Sequence, residues 1–265
     1  METVAGSVLV SERSFLAFDL ETTGVDVRLD EPVSYALVTR DNGHDEPVYR
    51  ITTPRVPIHP DALAVHGISD ERVAQEGVPL EDALREIGNG LVRASRRGAV
   101  LVGMNVAFDL TITNRLLTEH FGKGLIEAGW RGPIVDVSVL DRAVDKYRSG
   151  KRTLTALCEY YDVAFENAHD ALADATVCMD LAKTILDQHP DVDALGSIEL
   201  LKFQAKQYRS WAHNYNQYRL SRGESAIELY ETWPMLIDVP SWEEVLADEA
   251  QVQATTQVGG GVSVH

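Results

Sequence analysis

Three small groups of acids, one beside a histidine, are the residues of this chain best suited to hold a cation or move a proton. Asp19 and Glu21 stand one residue apart in the apolar run Phe15-Leu16-Ala17-Phe18-Asp19-Leu20-Glu21. Side chains two apart on a strand share a face, so a strand here sets two carboxylates side by side. Against a buried sheet that pairing is costly unless a cation or hydrogen-bond donors compensate. If the strand instead runs out into solvent, the acids cost little. Asp109 closes the segment Gly103-Met104-Asn105-Val106-Ala107-Phe108-Asp109 and falls in the first turn of an expected helix, where the helix dipole favours an acid whatever its use. In His169-Asp170-Ala171-Leu172-Ala173-Asp174, Asp170 reads as an N-cap, Asp174 lies about one turn inside the helix, and His169 hangs from the incoming loop. A surface-loop histidine is the plain alternative. With oxygen ligands and no cysteine nearby, a cation held here would be a hard one, Mg²⁺ or Mn²⁺.

These groups need a sheet with helices around it, and the rest of the pattern supplies one. Apolar runs predict strands over 14–21, 33–40 and 47–52. Asn42-Gly43 between the second and third predicts a hairpin. The first three strands are therefore expected to be antiparallel and sequential. Residues 79–97 read as a helix with Leu80, Ala83, Leu84, Ile87 and Leu91 on one face. A short buried strand at 99–103, a helix at 107–121, a strand at 134–137 and helices at 153–161 and 170–188 follow. Strands as a meander, then alternating with helices, indicate an α/β mixed sheet. After His189-Pro190 the pattern is helical only, which divides the chain into residues 1–190, a helical extension over 191–248, and a Gly-rich tail over 249–265 expected to be disordered. In the extension Ile198, Leu201, Ala205, Tyr208, Ala212 and Tyr215 form one helical stripe, with Lys202, Lys206, Arg209 and Arg219 away from it.

Composition narrows the function classes. Apolar residues make up 45% and charged residues 25% of the 265, as in a folded globule. No apolar run approaches the ~20 residues of a membrane span, and residues 1–11 show no signal-peptide pattern, so a cytoplasmic protein without a membrane partner is expected. Cys158 and Cys178 read as buried free thiols. The formal charge of −17 argues against broad gripping of a nucleic-acid duplex, which relies on neutralising phosphates. It leaves open the processing of one strand end, where bound cations meet the phosphate.

Taken in order along the chain, these groups resemble the motifs of the DEDD exonuclease superfamily. Phe18-Asp19-Leu20-Glu21-Thr22-Thr23-Gly24 resembles the first motif, Asn105-Val106-Ala107-Phe108-Asp109 the second, and His169 with Asp174 the third in its histidine form. Ala62-Leu63-Ala64-Val65-His66-Gly67-Ile68 and Thr153-Leu154-Thr155-Ala156-Leu157-Cys158 also fit, so the likeness runs over about residues 13–188 and is nearest to proofreading subunits of the bacterial polymerase III type. Met104 departs from the histidine often found there, which touches substrate contacts and leaves the chemistry alone.

The resemblance implies a ribonuclease H-like fold and 3′→5′ hydrolysis with two divalent cations, Mg²⁺ or Mn²⁺, about 4 Å apart. It implies Asp19 bridging them, Glu21 and Asp174 completing one, Asp109 serving the other partly through water, and His169 as general base. Thr22, Thr23 and Asn105, with Val65, His66 and Phe108 as wedging or stacking groups, are expected to meet the terminal nucleotide. For His66 a capping role in a turn stands equally open. The basic run Lys146, Arg148, Lys151, Arg152 suits either an incoming strand's phosphates or a solvated loop. The expected substrate is a single-stranded 3′ end, DNA ahead of RNA, with a separate DNA polymerase polypeptide as a partner. An exoribonuclease of the RNase T or oligoribonuclease kind, and a catalytically inactive binding module, are the alternatives.

Overall fold

The structure is a computed structural model that describes residues 8–165, 170–226 and 233–235. His169, most of 227–248 and the tail over 249–265 lie outside the described residues. The sheet runs β4-β3-β2-β1-β5-β6, with β1 Phe15–Thr22, β2 Pro32–Asp41, β3 His44–Thr53, β4 Val78–Pro79, β5 Val100–Gly103 and β6 Ile134–Asp136. β1, β2 and β3 pair antiparallel as expected, and β5 and β6 add in parallel beyond β1. The hairpin turns at Asn42 (φ 50°) and Gly43 (φ 76°), the two positive φ angles that a two-residue turn between twisted strands requires.

The alternation along β1 decides which side does what. Leu16, Phe18 and Leu20 pack with α3 (Leu80–Arg96) and α4 (Val106–Phe121), whereas Phe15 and Ala17 pack with α7 (Ala171–Gln188). All five apolar positions foreseen on α3 are buried, and each leucine or isoleucine among them contributes roughly 1.5–3 kcal/mol by leaving water. Of the eight β1 residues only Asp19 and Glu21 are not buried, and they continue the face turned towards α7. At Gly103 a Cβ would lie 2.9 Å from the Phe18 carbonyl oxygen, so glycine there lets β5 end tight against β1 where the next chain segment must turn.

Four short helices and one strand were not foreseen. α1 (Pro60–His66), α2 (Asp70–Glu76) and α8 (Pro190–Asp193) bury too little for a hydrophobic period to show; α1 has no buried residue at all and is bounded by His59, Pro60 and a left-handed Gly67. α5 (Val137–Val144) starts directly at the end of β6, which shortens the expected strand by one residue. α6 spans Leu154–Tyr161, and β4 is a two-residue bridge beside β3.

The helical extension begins with α9 (Ser197–Ser221), whose Leu201 and Ala205 join the core. Its buried Gln204 bonds the open edge of β6. Oε1 accepts from the Asp136 N–H (3.0 Å) and Nε2 donates to the Ile134 carbonyl (2.7 Å), so one side-chain amide stands in for a further strand. Trp233, also buried, stacks on Tyr208 of α9 at 6.3 Å. Among the described residues no helix is long and apolar enough to cross a membrane. Cys158 and Cys178 are buried free thiols.

Candidate active site

Asp19, Glu21 and Asp174 meet where β1 leaves the sheet. One carboxylate oxygen from each lies within 4.8 Å of the other two, and all three residues are partly open to solvent. β1 supplies the first two through its pleat, opposite Ala36 and Ser34 of β2, and the strand pairing shifts immediately after Glu21. α7 supplies the third, because Asp170 caps the helix by accepting from the Ala173 N–H (3.0 Å) and so sets the start of the turn that carries Asp174.

Asp109 reaches the same place from the opposite layer. It is 4% exposed, and one oxygen accepts the Leu20 N–H at 3.0 Å, which pins the first turn of α4 to β1 between Asp19 and Glu21. It stays outside the trio of mutually close oxygens. Its placement depends on a residue that sequence reasoning missed. Asn105 makes the turn from β5 into α4 in a left-handed conformation (φ 57°), and its N–H donates to the fully buried Asp136 at 3.1 Å. Asp136 also accepts from Ser138 N (3.0 Å), Ser138 Oγ (2.8 Å) and Val139 N (3.3 Å), capping α5. An acid ending the run Ile134-Val135-Asp136, with serine two residues on, is a capping signal that could have marked it.

The electrostatics of the cluster are unbalanced. Burial pushes the Asp19 carboxyl well above the usual range, and Asp109, Glu21 and Asp174 add to this by repulsion. Glu21 is pushed up to about 8, first by burial and then by Asp174 and Asp170. Burial also raises Asp109, against the pull of the Leu20 N–H. Among the described residues no lysine or arginine lies within ion-pair distance of Asp19, Glu21 or Asp109. Oxygen-only donors with surplus negative charge fit a hard divalent cation.

Beside the carboxylates lies a cavity of about 540 Å³ lined by Glu21, Thr22, Val65, His66 and Phe108, so four of the six expected nucleotide-contacting residues come together there. Val65 is 53% exposed at its rim. His66 ends α1 and does cap the turn, its Nδ1 accepting the Ile68 N–H (3.0 Å), and burial lowers its pKa. Thr23 is not in this cavity. Its N–H donates to the Glu31 carbonyl (2.9 Å) and its hydroxyl to Asp30 (2.7 Å), so its polar atoms hold the loop after β1 together. The Asn105 side chain makes no capping bond to α4, and the residue is exposed at the turn.

A family model for exonucleases, RNase_T, matches residues 16–182, which contain Asp19, Glu21, Asp109, His169 and Asp174. The chain belongs to the RNase_T exonuclease family. This exonuclease is 30% identical over 166 residues to a PolC-type DNA polymerase III of Halalkalibacterium halodurans, a match covering 62% of the chain and 11% of that protein. It is 28% identical over 183 residues to the DNA polymerase III subunit epsilon of Treponema pallidum, covering 66% of the chain and 78% of that protein. The chain thus spans about a tenth of the PolC-type relatives it matches. Among solved structures it is similar to exonuclease I of Methylocaldum szegediense, with a TM-score of 0.55 and 25% identity, over 67% of this chain and 41% of that one. E. coli exonuclease I in complex with a dT13 oligonucleotide shares the fold, with a TM-score of 0.58 and 20% identity over 68% of this chain and 42% of that one. The mixed α/β sheet is therefore the ribonuclease H-like fold of the DEDD exonucleases.

Proposed function

We propose that this exonuclease removes nucleoside monophosphates from the 3′ ends of single-stranded DNA, in proofreading or repair. The observation that carries the reading is the convergence of Asp19, Glu21 and Asp174 oxygens, with Asp109 pinned beside them and with Asp19 and Glu21 pushed towards their protonated forms by burial and by the neighbouring acids. Asp19, Glu21 and Asp174, with Asp109 beside them, would hold the divalent cations. Bound Mg²⁺ or Mn²⁺ supplies neutralisation of the scissile phosphate and of the departing oxygen. The cavity lined by Thr22, Val65, His66 and Phe108 orients the last nucleotide, with Phe108 and Val65 against the base. His169, by its place in the family motif, takes the proton of the attacking water as the phosphorus to 3′-oxygen bond breaks; a histidine with a pKa of ~6.5 can do so near neutrality.

DNA rather than RNA is supported by the polymerase III and exodeoxyribonuclease names of the relatives, and association with a DNA polymerase on a separate polypeptide rests on the same ground. The test is digestion of 5′-labelled DNA and RNA oligomers with Mg²⁺ or Mn²⁺. A DNA ladder shortening from the 3′ end is expected. A faster RNA ladder moves the assignment to an exoribonuclease, and no digestion of either identifies an inactive binding module. His169→Ala should slow turnover roughly 10²-fold and remove the acidic limb of the pH–rate profile. An unchanged limb in that variant takes the base role away from His169.

A further inference from the structure

The basic run at 146–152 is not used by the catalytic reading, yet the fold organises it closely. Asp141 of α5 is fully buried and gathers three partners: Arg148 at 3.2 Å, Arg152, and the Tyr161 hydroxyl at 3.1 Å. Arg152 also donates to the Asp145 carbonyl (2.6 Å), so the turn between α5 and α6 is clamped to α5. Across from it on α9, Trp211 and Tyr215 stack at 5.5 Å with their planes 13° apart. The Arg142 guanidinium lies over Trp211, 4.5 Å from the ring centre, held there by its bond to the Ser138 carbonyl (3.0 Å). Between α5 and α9 this leaves a groove of about 700 Å³ whose walls include Arg142, Lys146, Arg148, Arg152, Trp211 and Tyr215 and, among the described residues, no carboxylate.

The charge balance there is the reverse of the molecule's. Four cations line the groove above the single carboxylate of Asp141, on a chain whose formal charge is −17. Among the described residues neither Arg142 nor Lys146 has a carboxylate within ion-pair distance. Three other surface cavities are each lined by more acidic than basic side chains. Next along the turn, Tyr147 is 89% exposed, an aromatic ring presented to solvent beside a lysine. Phosphate-binding cations combined with an available aromatic face are how proteins track one strand of nucleic acid.

The position also suits a strand. α5 leaves the sheet at Asp136, at the same end where β1 delivers Asp19, and β6 is two strands from β1, roughly 10 Å across the sheet. We propose that the groove between α5 and α9 holds the sugar-phosphate backbone of the nucleic-acid strand upstream of the 3′ end bound at the carboxylates. The inference rests on the exonuclease reading for its strand but not for its chemistry.

The test is equilibrium binding of a labelled 20-nucleotide single strand to the full chain in EDTA, where hydrolysis is stopped. Wild type is compared with Lys146→Glu and with Lys123→Glu, the same charge change at the far end of α4 from Asp109. Lys146→Glu should weaken binding roughly tenfold or more and flatten the dependence on salt by about one phosphate contact, while Lys123→Glu should change it less than twofold. Equal losses in both variants, or none in either, would overturn the groove. So would poly-glutamate binding there more tightly than the oligonucleotide, which would make the occupant an acidic protein segment. Hydrolysis with Mn²⁺ but no effect of Lys146→Glu sinks the groove and leaves the exonuclease standing. Lys146-dependent binding without hydrolysis does the opposite.

Discussion

Two carboxylate environments in this chain are built in opposite ways. Asp141 sits among its own partners: the Arg148 and Arg152 guanidiniums and the neutral Tyr161 hydroxyl satisfy it inside the fold. Asp19 and Asp109 have neighbours of their own sign, with the Leu20 N–H on Asp109 as the main relief. The same chain can therefore neutralise an interior acid when the acid's work is structural. Where acids face one another, protons or an added cation can relieve them, and oxygen-only donors suit a divalent cation. The difference separates an acid that holds the fold from acids that the fold holds ready.

The largest effect should come from removing the carboxylate shared by the whole cluster. Asp19→Ala is expected to lower kcat roughly 10³-fold or more, about 4 kcal/mol of transition-state stabilisation, while far-ultraviolet circular dichroism stays that of a folded protein. Activity within tenfold of wild type would break the assignment. Next in size is the structural acid. Asp141→Asn strands two largely buried guanidiniums and should destabilise the chain by about 3–5 kcal/mol in urea unfolding, the cost of breaking a buried pair from one side. A loss under 1 kcal/mol would erase the contrast drawn above.

A smaller effect follows from protonation. Glu21 has its folded-state pKa raised to about 8 from an ordinary value near 4.5. The folded protein therefore binds this proton more tightly than the unfolded chain does. The associated stability is fully present below the unfolded pKa and is lost as pH rises through the folded one. Metal-free protein should thus melt higher as pH is lowered from about 8 towards 5, and Glu21→Gln should flatten that slope. Since protons and cations compete for the carboxylate, Mn²⁺ affinity should weaken over the same range. A slope unchanged in the variant would place the titration elsewhere.

How much of this was legible in the sequence differs between the two environments for physical reasons. The cleft was readable because its positions follow local rules: Asp19 and Glu21 share a face through the pleat, and Asp174 sits one turn inside a helix that Asp170 visibly caps. Strand and helix ends fell within a few residues of expectation, and Asn42-Gly43 gave the hairpin. Asp136, Asp141 and Gln204 were not singled out: Asp136 carries a local capping signal that went unread, while Asp141 and Gln204 act on partners that no local period connects to them. Gln204 sits inside an amphipathic stripe where a polar residue reads as surface, yet it bonds an edge strand about 70 residues earlier. That contact also bears on the expected division at residue 190. A chain ending there loses Leu200, Leu201 and Gln204 from the interior, and its melting temperature reads directly how far residues 1–190 fold alone.

The central proposal is that Asp19, Glu21, Asp109 and Asp174 together hold a divalent cation, and calorimetry tests it most directly. Wild type and Asp174→Asn would be melted in EDTA and in excess Mn²⁺ at matched ionic strength. The account predicts that the wild type gains clearly from Mn²⁺, about 2.7 kcal/mol when free metal is a hundredfold above its dissociation constant. Asp174→Asn keeps its shape with one fewer like charge, so it should melt at or above wild type in EDTA and lose most of the response to Mn²⁺. Equal Mn²⁺-induced shifts in the two proteins would contradict the account, because the ion would then be binding elsewhere on an acidic surface.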